Sequence, residues 1–181
     1  MNVTNTSIRD VLIIEPVVHK DSRGFFIENF NQRDFNAVTK TDFSFVQDCH
    51  SRSQQGVLRG LHYQLKQPQG KLISVLRGSV FDVIVDIRRS STTFGKWVGL
   101  ELNENSNQQV WVPPGLAHGF LVLSDSADLF YKTTEYYAPS SECCIRWDDP
   151  DLAIDWPSKS RRVLSTKDKA GLPLQSAQVF S

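Results

Sequence analysis

Val80-Phe81-Asp82-Val83-Ile84-Val85-Asp86-Ile87 alternates with a period of two, and that period constrains the fold more than any other property of the chain. Side chains leave an extended strand on opposite faces in turn. Phe81, Val83, Val85 and Ile87 therefore share one face, and Asp82, Ile84 and Asp86 share the other. Residues 71–76, 97–102, 109–112, 120–123 and 129–133 read as further short strands. Between them stand Arg77-Gly78-Ser79, residues 103–107, Pro113-Pro114-Gly115 and Ser124-Asp125-Ser126, all turn chemistry. Short strands at regular spacing predict an all-β dominated fold, an antiparallel jelly-roll barrel. Helix is sparse, with one segment expected at residues 32–40 behind an Asn31 cap and another in the C-terminal segment after Ser165. There Ser165-Thr166-Lys167-Asp168 resembles a capping box with Asp in place of Glu. No repeat, low-complexity tract or linker interrupts the pattern, so a single domain is expected over residues 1–181.

Charge narrows the classes of partner. Twenty basic residues cancel twenty acidic ones, so no global field favours nucleic acid or a membrane surface, and an anion must be caught locally. No apolar run approaches the roughly 20 residues of a spanning helix. The polar stretch Met1–Asp10 has no apolar signal-peptide core, and Cys49, Cys143 and Cys144 have no metal-ligand spacing. Reduced thiols in a cytoplasmic protein are the simplest expectation.

Val57-Leu58-Arg59-Gly60-Leu61-His62-Tyr63, followed by Gln69-Gly70-Lys71, carries the chemistry. Arginine pairs with phosphate or carboxylate, histidine exchanges protons near neutral pH, and lysine stabilises a developing oxyanion. Residues three apart on a regular strand point to opposite faces. Arg59 and His62 therefore share a cavity only if the strand is irregular at Gly60, a favoured use of glycine within strands.

Pro113-Pro114-Gly115-Leu116-Ala117-His118 fits P-x-G-x-x-H, the second motif of cupin barrels. A metal-binding cupin also carries two histidines at x+2 spacing with a glutamate beyond. Here Gln64 follows His62 at that spacing, and no glutamate occurs between His62 and Arg88. His62 and His118 are the obvious imidazole ligands left, fewer than the three protein ligands usual for catalytic zinc, although Asp82 or Asp86 could complete a site. Without a metal, His62 acts as acid or base itself.

These motifs, in order, resemble the dTDP-4-dehydrorhamnose 3,5-epimerase family of metal-independent cupin enzymes. The likeness runs from about Val11 to Leu174. It includes Asp21 to Glu28, Phe45 to Asp48, Val57 to His62, Gln69 to Lys71, Phe81 to Val83, Asp86 to Arg88, Pro114 to Phe120, Tyr131-Lys132, Tyr136-Tyr137 and Leu164 to Asp168. The resemblance implies a cupin-type barrel that epimerises dTDP-4-dehydro-6-deoxy-D-glucose at C3 and C5, without a cofactor or metal. That step leads to dTDP-L-rhamnose, a sugar donor for lipopolysaccharide or cell-wall polysaccharide. Epimerisation at C3 or C5 alone, on another nucleotide 4-keto sugar, and a non-catalytic sugar-nucleotide-binding cupin are the alternatives.

By the same resemblance His62 is the base, Asp168 its carboxylate partner, Lys71 the cation at the enolate oxygen, and Tyr131 the acid on the opposite face. Arg23, Glu28, Gln47, Asp48, Arg59, His118, Glu142 and Lys167 match substrate-binding positions, and Tyr136 offers an aromatic face to thymine. Cys49 stands where the family pattern has asparagine. A thiol cannot supply both the donor and the acceptor of an amide, so only a main-chain contact survives there. The family is homodimeric, and Arg23 and Glu28 are expected to serve the neighbouring subunit.

Overall fold

The alternating segment at residues 80–87 falls one strand in from the edge of the smaller of two packed antiparallel sheets in the computed structural model, which describes residues 1–157 and 162–181. In chain order the elements are β1 (Asn2–Asn5), β2 (Leu12–Glu15), β3 (Val18–Asp21), β4 (Gly24–Ile27), α1 (Gln32–Thr39), β5 (Gln47–Gln54), β6 (Leu58–Gln64) and β7 (Lys71–Arg77). They continue with β8 (Ser79–Asp86), β9 (Trp97–Asn103), β10 (Gln109–Val112), β11 (Leu116–Val122), β12 (Ser126–Thr133), β13 (Glu142–Cys144) and α2 (Thr166–Lys169). One sheet has the order β1-β2-β10-β7-β12-β5, and the other β13-β6-β11-β8-β9. The hairpin of β3 and β4 pairs only with itself. This is the jelly roll that the period of two predicts.

Each sheet contributes a face to the interior. Ile73 and Val110 from one meet Val80, Ile84 and Phe120 from the other in a continuous apolar cluster. The outward residues Val83 and Val85 of β8, with Ile87 just beyond it, are also buried, beneath Trp156, Leu174 and Ala177 of the C-terminal segment. The outer face of the larger sheet is covered by α1, whose Phe35 packs on Trp111 with Phe30, Phe43 and Phe45 around it. Burying one such large side chain contributes roughly 1.5–3 kcal/mol.

The helix signals hold closely. Asn31 accepts the Asp34 N–H at 3.3 Å, and Lys40 ends α1 at φ 56°. The Ser165–Asp168 capping box is formed in both directions, although α2 is a single turn. Two differences have physical causes. Strand β5 is almost wholly polar, so it carries no apolar alternation to announce it, yet it alternates strictly between inward and outward positions. Strand β11 begins at Leu116 rather than at residue 120, because pairing with β8 starts at Leu116↔Asp86 directly after the Pro-Gly turn.

Candidate active site

Gly60 determines what this cavity contains. Across β6 and β11, His62 faces His118 while Arg59 faces Phe120, so three steps on β6 match two on β11. Gly60 sits at φ 134°, and a Cβ there would stand 2.5 Å from Gly119 Cα. Only glycine meets both conditions, and the peptide bond to Leu61 is cis. The expected irregularity is present, and Arg59 and His62 line the same cavity of about 690 Å³ between the sheets.

His62 projects from β6 with Nε2 2.7 Å from Asp168 Oδ1. The two are in ion-pair contact, although Nε2 has no aligned hydrogen bond to any described residue. Asp168 is buried in a dense set of donors. Its Oδ1 also accepts the Gly60 N–H at 3.0 Å, and its Oδ2 accepts the Ser165 hydroxyl at 2.6 Å and the Ser165 N–H at 3.2 Å. Burial alone would raise this carboxyl, but contact with His62 and the Ser165 and Gly60 donors hold it well below the ordinary carboxylate range.

The opposite wall comes from the other sheet. Lys71 opens β7, and burial pushes its ammonium down to about 8 against the raising effect of Asp82, Glu142 and Cys49. No described residue hydrogen-bonds it. Tyr131 lies on β12 directly across from Cys49 on β5. Burial, with the Cys49 thiol next in importance, pushes its phenol up to about 12, so it keeps its proton at neutral pH.

A rim of polar contacts joins the two walls. Gln47 donates to Cys49 Sγ at 3.1 Å and accepts the Tyr137 N–H at 2.9 Å. The Tyr137 hydroxyl donates to Glu142 Oε2 at 2.6 Å, where Lys167 also pairs at 2.6 Å. Burial opposes the charge on Glu142, but Lys167 and Tyr137 outweigh it and lower its pKa.

Of the residues expected from sequence, His62, Lys71, Tyr131, Asp168, Gln47, Cys49, Arg59, His118, Glu142 and Lys167 line the cavity together. Four do not. Arg23 is engaged with Asp21 at 2.6 Å in the β3–β4 turn, and Glu28 is exposed just beyond β4. Asp48 faces outward by strand parity and pairs with Lys132 at 2.7 Å. Tyr136 is 60% exposed, and its neighbour Tyr137 reaches the cavity instead. Ser51 and Phe120 also line it without having been expected there, and so does Gln69 of the Gln69-Gly70-Lys71 motif. Strand parity identifies Ser51 once β5 is known to be a strand, since it shares a face with Gln47 and Cys49.

A ring nitrogen of His62, Cys144 Sγ and an Asp168 oxygen lie within reach of a common ion, all within 4.8 Å of one another. Burial, however, pushes the Cys144 thiol up to about 12, and it donates to the Gly60 carbonyl at 3.5 Å. Both Asp168 oxygens are already engaged, so a cation would have to displace existing contacts. The arrangement is suited to proton transfer: a base with a carboxylate behind it, a phenol on the far wall, and a lysine beside them.

Comparison with known proteins agrees with this chemistry. A family profile described as dTDP-4-dehydrorhamnose 3,5-epimerase matches residues 5–176. The chain is 52% identical to the Pseudomonas aeruginosa dTDP-4-dehydrorhamnose 3,5-epimerase over 180 residues, covering 99% of each. It is 56% identical to the Escherichia coli K12 protein of that name over 170 residues, covering 93% of this chain and 92% of the relative. Among solved structures it superposes with a TM-score of 0.96 at 52% identity on a dTDP-6-deoxy-D-glucose-3,5-epimerase from Legionella pneumophila, crystallised with dTDP-4-keto-L-rhamnose. That match covers 98% of this chain and 94% of the other.

Proposed function

The chain belongs to the dTDP-4-dehydrorhamnose 3,5-epimerase family, and from that premise we propose how its cavity inverts C3 and C5 of dTDP-4-dehydro-6-deoxy-D-glucose to give dTDP-4-dehydro-L-rhamnose. The C4 ketone acidifies the protons on both neighbouring carbons. His62 removes one of them. The electron pair left on carbon moves into a carbon–carbon double bond, and charge collects on the C4 oxygen. Lys71 stabilises that oxygen in a cavity poor in water. Tyr131 returns a proton to the same carbon from the other face, and solvent reprotonates the phenolate. Asp168 stabilises the imidazolium until it gives its proton to solvent.

The observation that carries this reading is that base and acid stand on opposing sheets of one cavity, His62 on β6 and Tyr131 on β12. Inversion requires a proton to leave one face and arrive at the other, and two walls supply the two faces. Incubating the 4-keto sugar in deuterated water tests it. Label at both C3 and C5 is expected, and label at one carbon alone would show a narrower epimerase. If His62→Ala exchanged protons as fast as the native enzyme, the base assignment would fail.

The nucleotide half of the substrate falls to Arg59, whose planar fork suits a diphosphate, and to Gln47, His118, Glu142 and Lys167 around the rim. Tyr137 takes the place expected of Tyr136 against thymine. We further propose a homodimer of single-domain subunits acting in the cytoplasm. The hairpin of β3 and β4 leaves Phe25 64% and Phe26 69% exposed, and Arg23 and Glu28 sit on it away from this chain's cavity. Such a hairpin fits delivery of both residues to a partner's site. A monomer by light scattering with full activity overturns that assignment. No helix among the described residues is long and apolar enough to cross a membrane.

A further inference from the structure

Asp82 takes no part in the chemistry above, yet it is fully buried on β8 beside the cavity. Its Oδ1 lies 2.7 Å from His118 Nε2. Its Oδ2 is buried with no hydrogen-bond partner among the described residues. An unmatched carboxylate oxygen in an apolar interior is costly, so something must offset it. Among the neighbouring groups, Asp82 is the one that most favours the Lys71 ammonium.

We infer that Asp82 is a positioning residue for the reaction, keeping Lys71 in its ammonium form and fixing the ring of His118 so that both meet the substrate's oxygens. The inference rests on the epimerase reading, and it extends the histidine–carboxylate pairing seen at His62 and Asp168 to the other imidazole of the cavity. His118 and His62 are cross-strand partners, so the two pairs lie side by side on one wall. Each carboxylate approaches its ring at Nε2, which leaves Nδ1 free to face substrate.

The argument from charge is direct. Burial opposes the Lys71 ammonium, and three groups oppose that loss: Asp82 from β8, then Glu142 from β13 and Cys49 from β5. Arg59, His118 and Lys167 also line the cavity. With Asp82 neutralised, Lys71 would be balanced chiefly by Glu142, which is already shared between Lys167 and Tyr137.

The test is Asp82→Asn, which keeps the shape and removes the charge, with Asp86→Asn as a control on the same strand outside the cavity. The titration of Lys71 is followed by NMR of lysine labelled at the ε-position, with Lys71→Arg to identify the signal. In Asp82→Asn the midpoint is expected to fall by about one pH unit, and in Asp86→Asn to stay in place. This measurement needs no turnover, so it decides the role of Asp82 even if the sugar chemistry proves different. In the kinetics, kcat of Asp82→Asn at pH 7.5 is expected to fall about 3-fold with KM changed far less, and the alkaline limb of kcat/KM to move down with the lysine. An unmoved Lys71 midpoint overturns the inference, as does a lower kcat with an unmoved pH profile. Asp82→Ala serves for the same titration if the asparagine variant does not fold.

Discussion

Asp168 holds His62 and caps its own helix with the same carboxylate, one oxygen turned to each task. Oδ1 meets His62 Nε2 at 2.7 Å and the Gly60 N–H at 3.0 Å, while Oδ2 closes the Ser165 cap at 2.6 Å. The imidazole is thereby fastened to the bulge that brings it into the cavity, and both are fastened to the C-terminal segment.

Replacing Asp168 by Asn removes the charge from both tasks. Solvent exchange at C3 and C5 is expected to slow by about 10²–10⁴-fold, the usual range for a disabled acid–base group. The carboxyl is depressed in the folded protein below its ordinary 3.8. Below about pH 4 the unfolded chain therefore takes up this proton before the folded one, and stability is lost as the pH falls. Acid unfolding of Asp168→Asn should accordingly show a shallower dependence on pH. Exchange within twofold of the native rate would remove Asp168 from the mechanism.

Lys71 should show opposite effects of pH on rate and on stability. Its folded value is about 8 against an ordinary 10.5. Between those values the unfolded chain binds the extra proton, so this group makes stability rise with pH across the window. Over the same window the ammonium proposed at the enolate oxygen disappears, so kcat/KM is expected to fall above about pH 8. Tyr131 stays protonated to about 12 and contributes nothing to that limb. Lys71→Met should therefore be nearly inactive and lose the rise in stability between about pH 8 and 10.5, while Tyr131→Phe keeps the limb near pH 8 on whatever activity remains. Thermal melts and pH–rate profiles on the two variants check both statements.

Gly60→Ala tests the bulge. The added methyl would meet Gly119 Cα at 2.5 Å and the His118 carbonyl at 3.0 Å, both backbone atoms, at a φ that side chains avoid. Strain and overpacking together predict a loss of at least ~2 kcal/mol in chemical denaturation. Activity should fall further than stability explains, because Arg59 and His62 share the cavity only through this residue. A stable, fully active variant would show that β6 can reach the same geometry without glycine.

Much of this was legible from residue spacing. The alternation of residues 80–87 predicted β8 and both of its faces, Asn31 and Ser165 marked the two helix starts, and the parity conflict between Arg59 and His62 located the bulge before any coordinates. Spacing alone could not pair His62 with Asp168 or Lys71 with Tyr131, since those meetings depend on how distant strands stack. Resemblance to the epimerase family supplied these residues, and the fold places them together. Strand β5 escaped notice because its inward residues line a polar cavity, so burial left no apolar trace in its sequence. Tyr136 and Tyr137 could not be told apart, since they lie in a loop without a period.

Cys49 provides the last prediction, because it lines the cavity where the other two cysteines do not. Its Sγ accepts from Gln47 and faces Tyr131 across the strand pair. A carboxamidomethyl group there would occupy the space between the acid and the incoming sugar. Iodoacetamide is expected to inactivate the enzyme with one thiol modified, and bound thymidine diphosphate to slow the reaction. Cys144 competes poorly, since its thiol is pushed up to about 12 and directed at the Gly60 carbonyl. Cys49→Ser should retain most activity and resist the reagent. Mass spectrometry locating the first modification at Cys143 or Cys144, with activity lost in step, would show that the thiol opposite Tyr131 is not the accessible one.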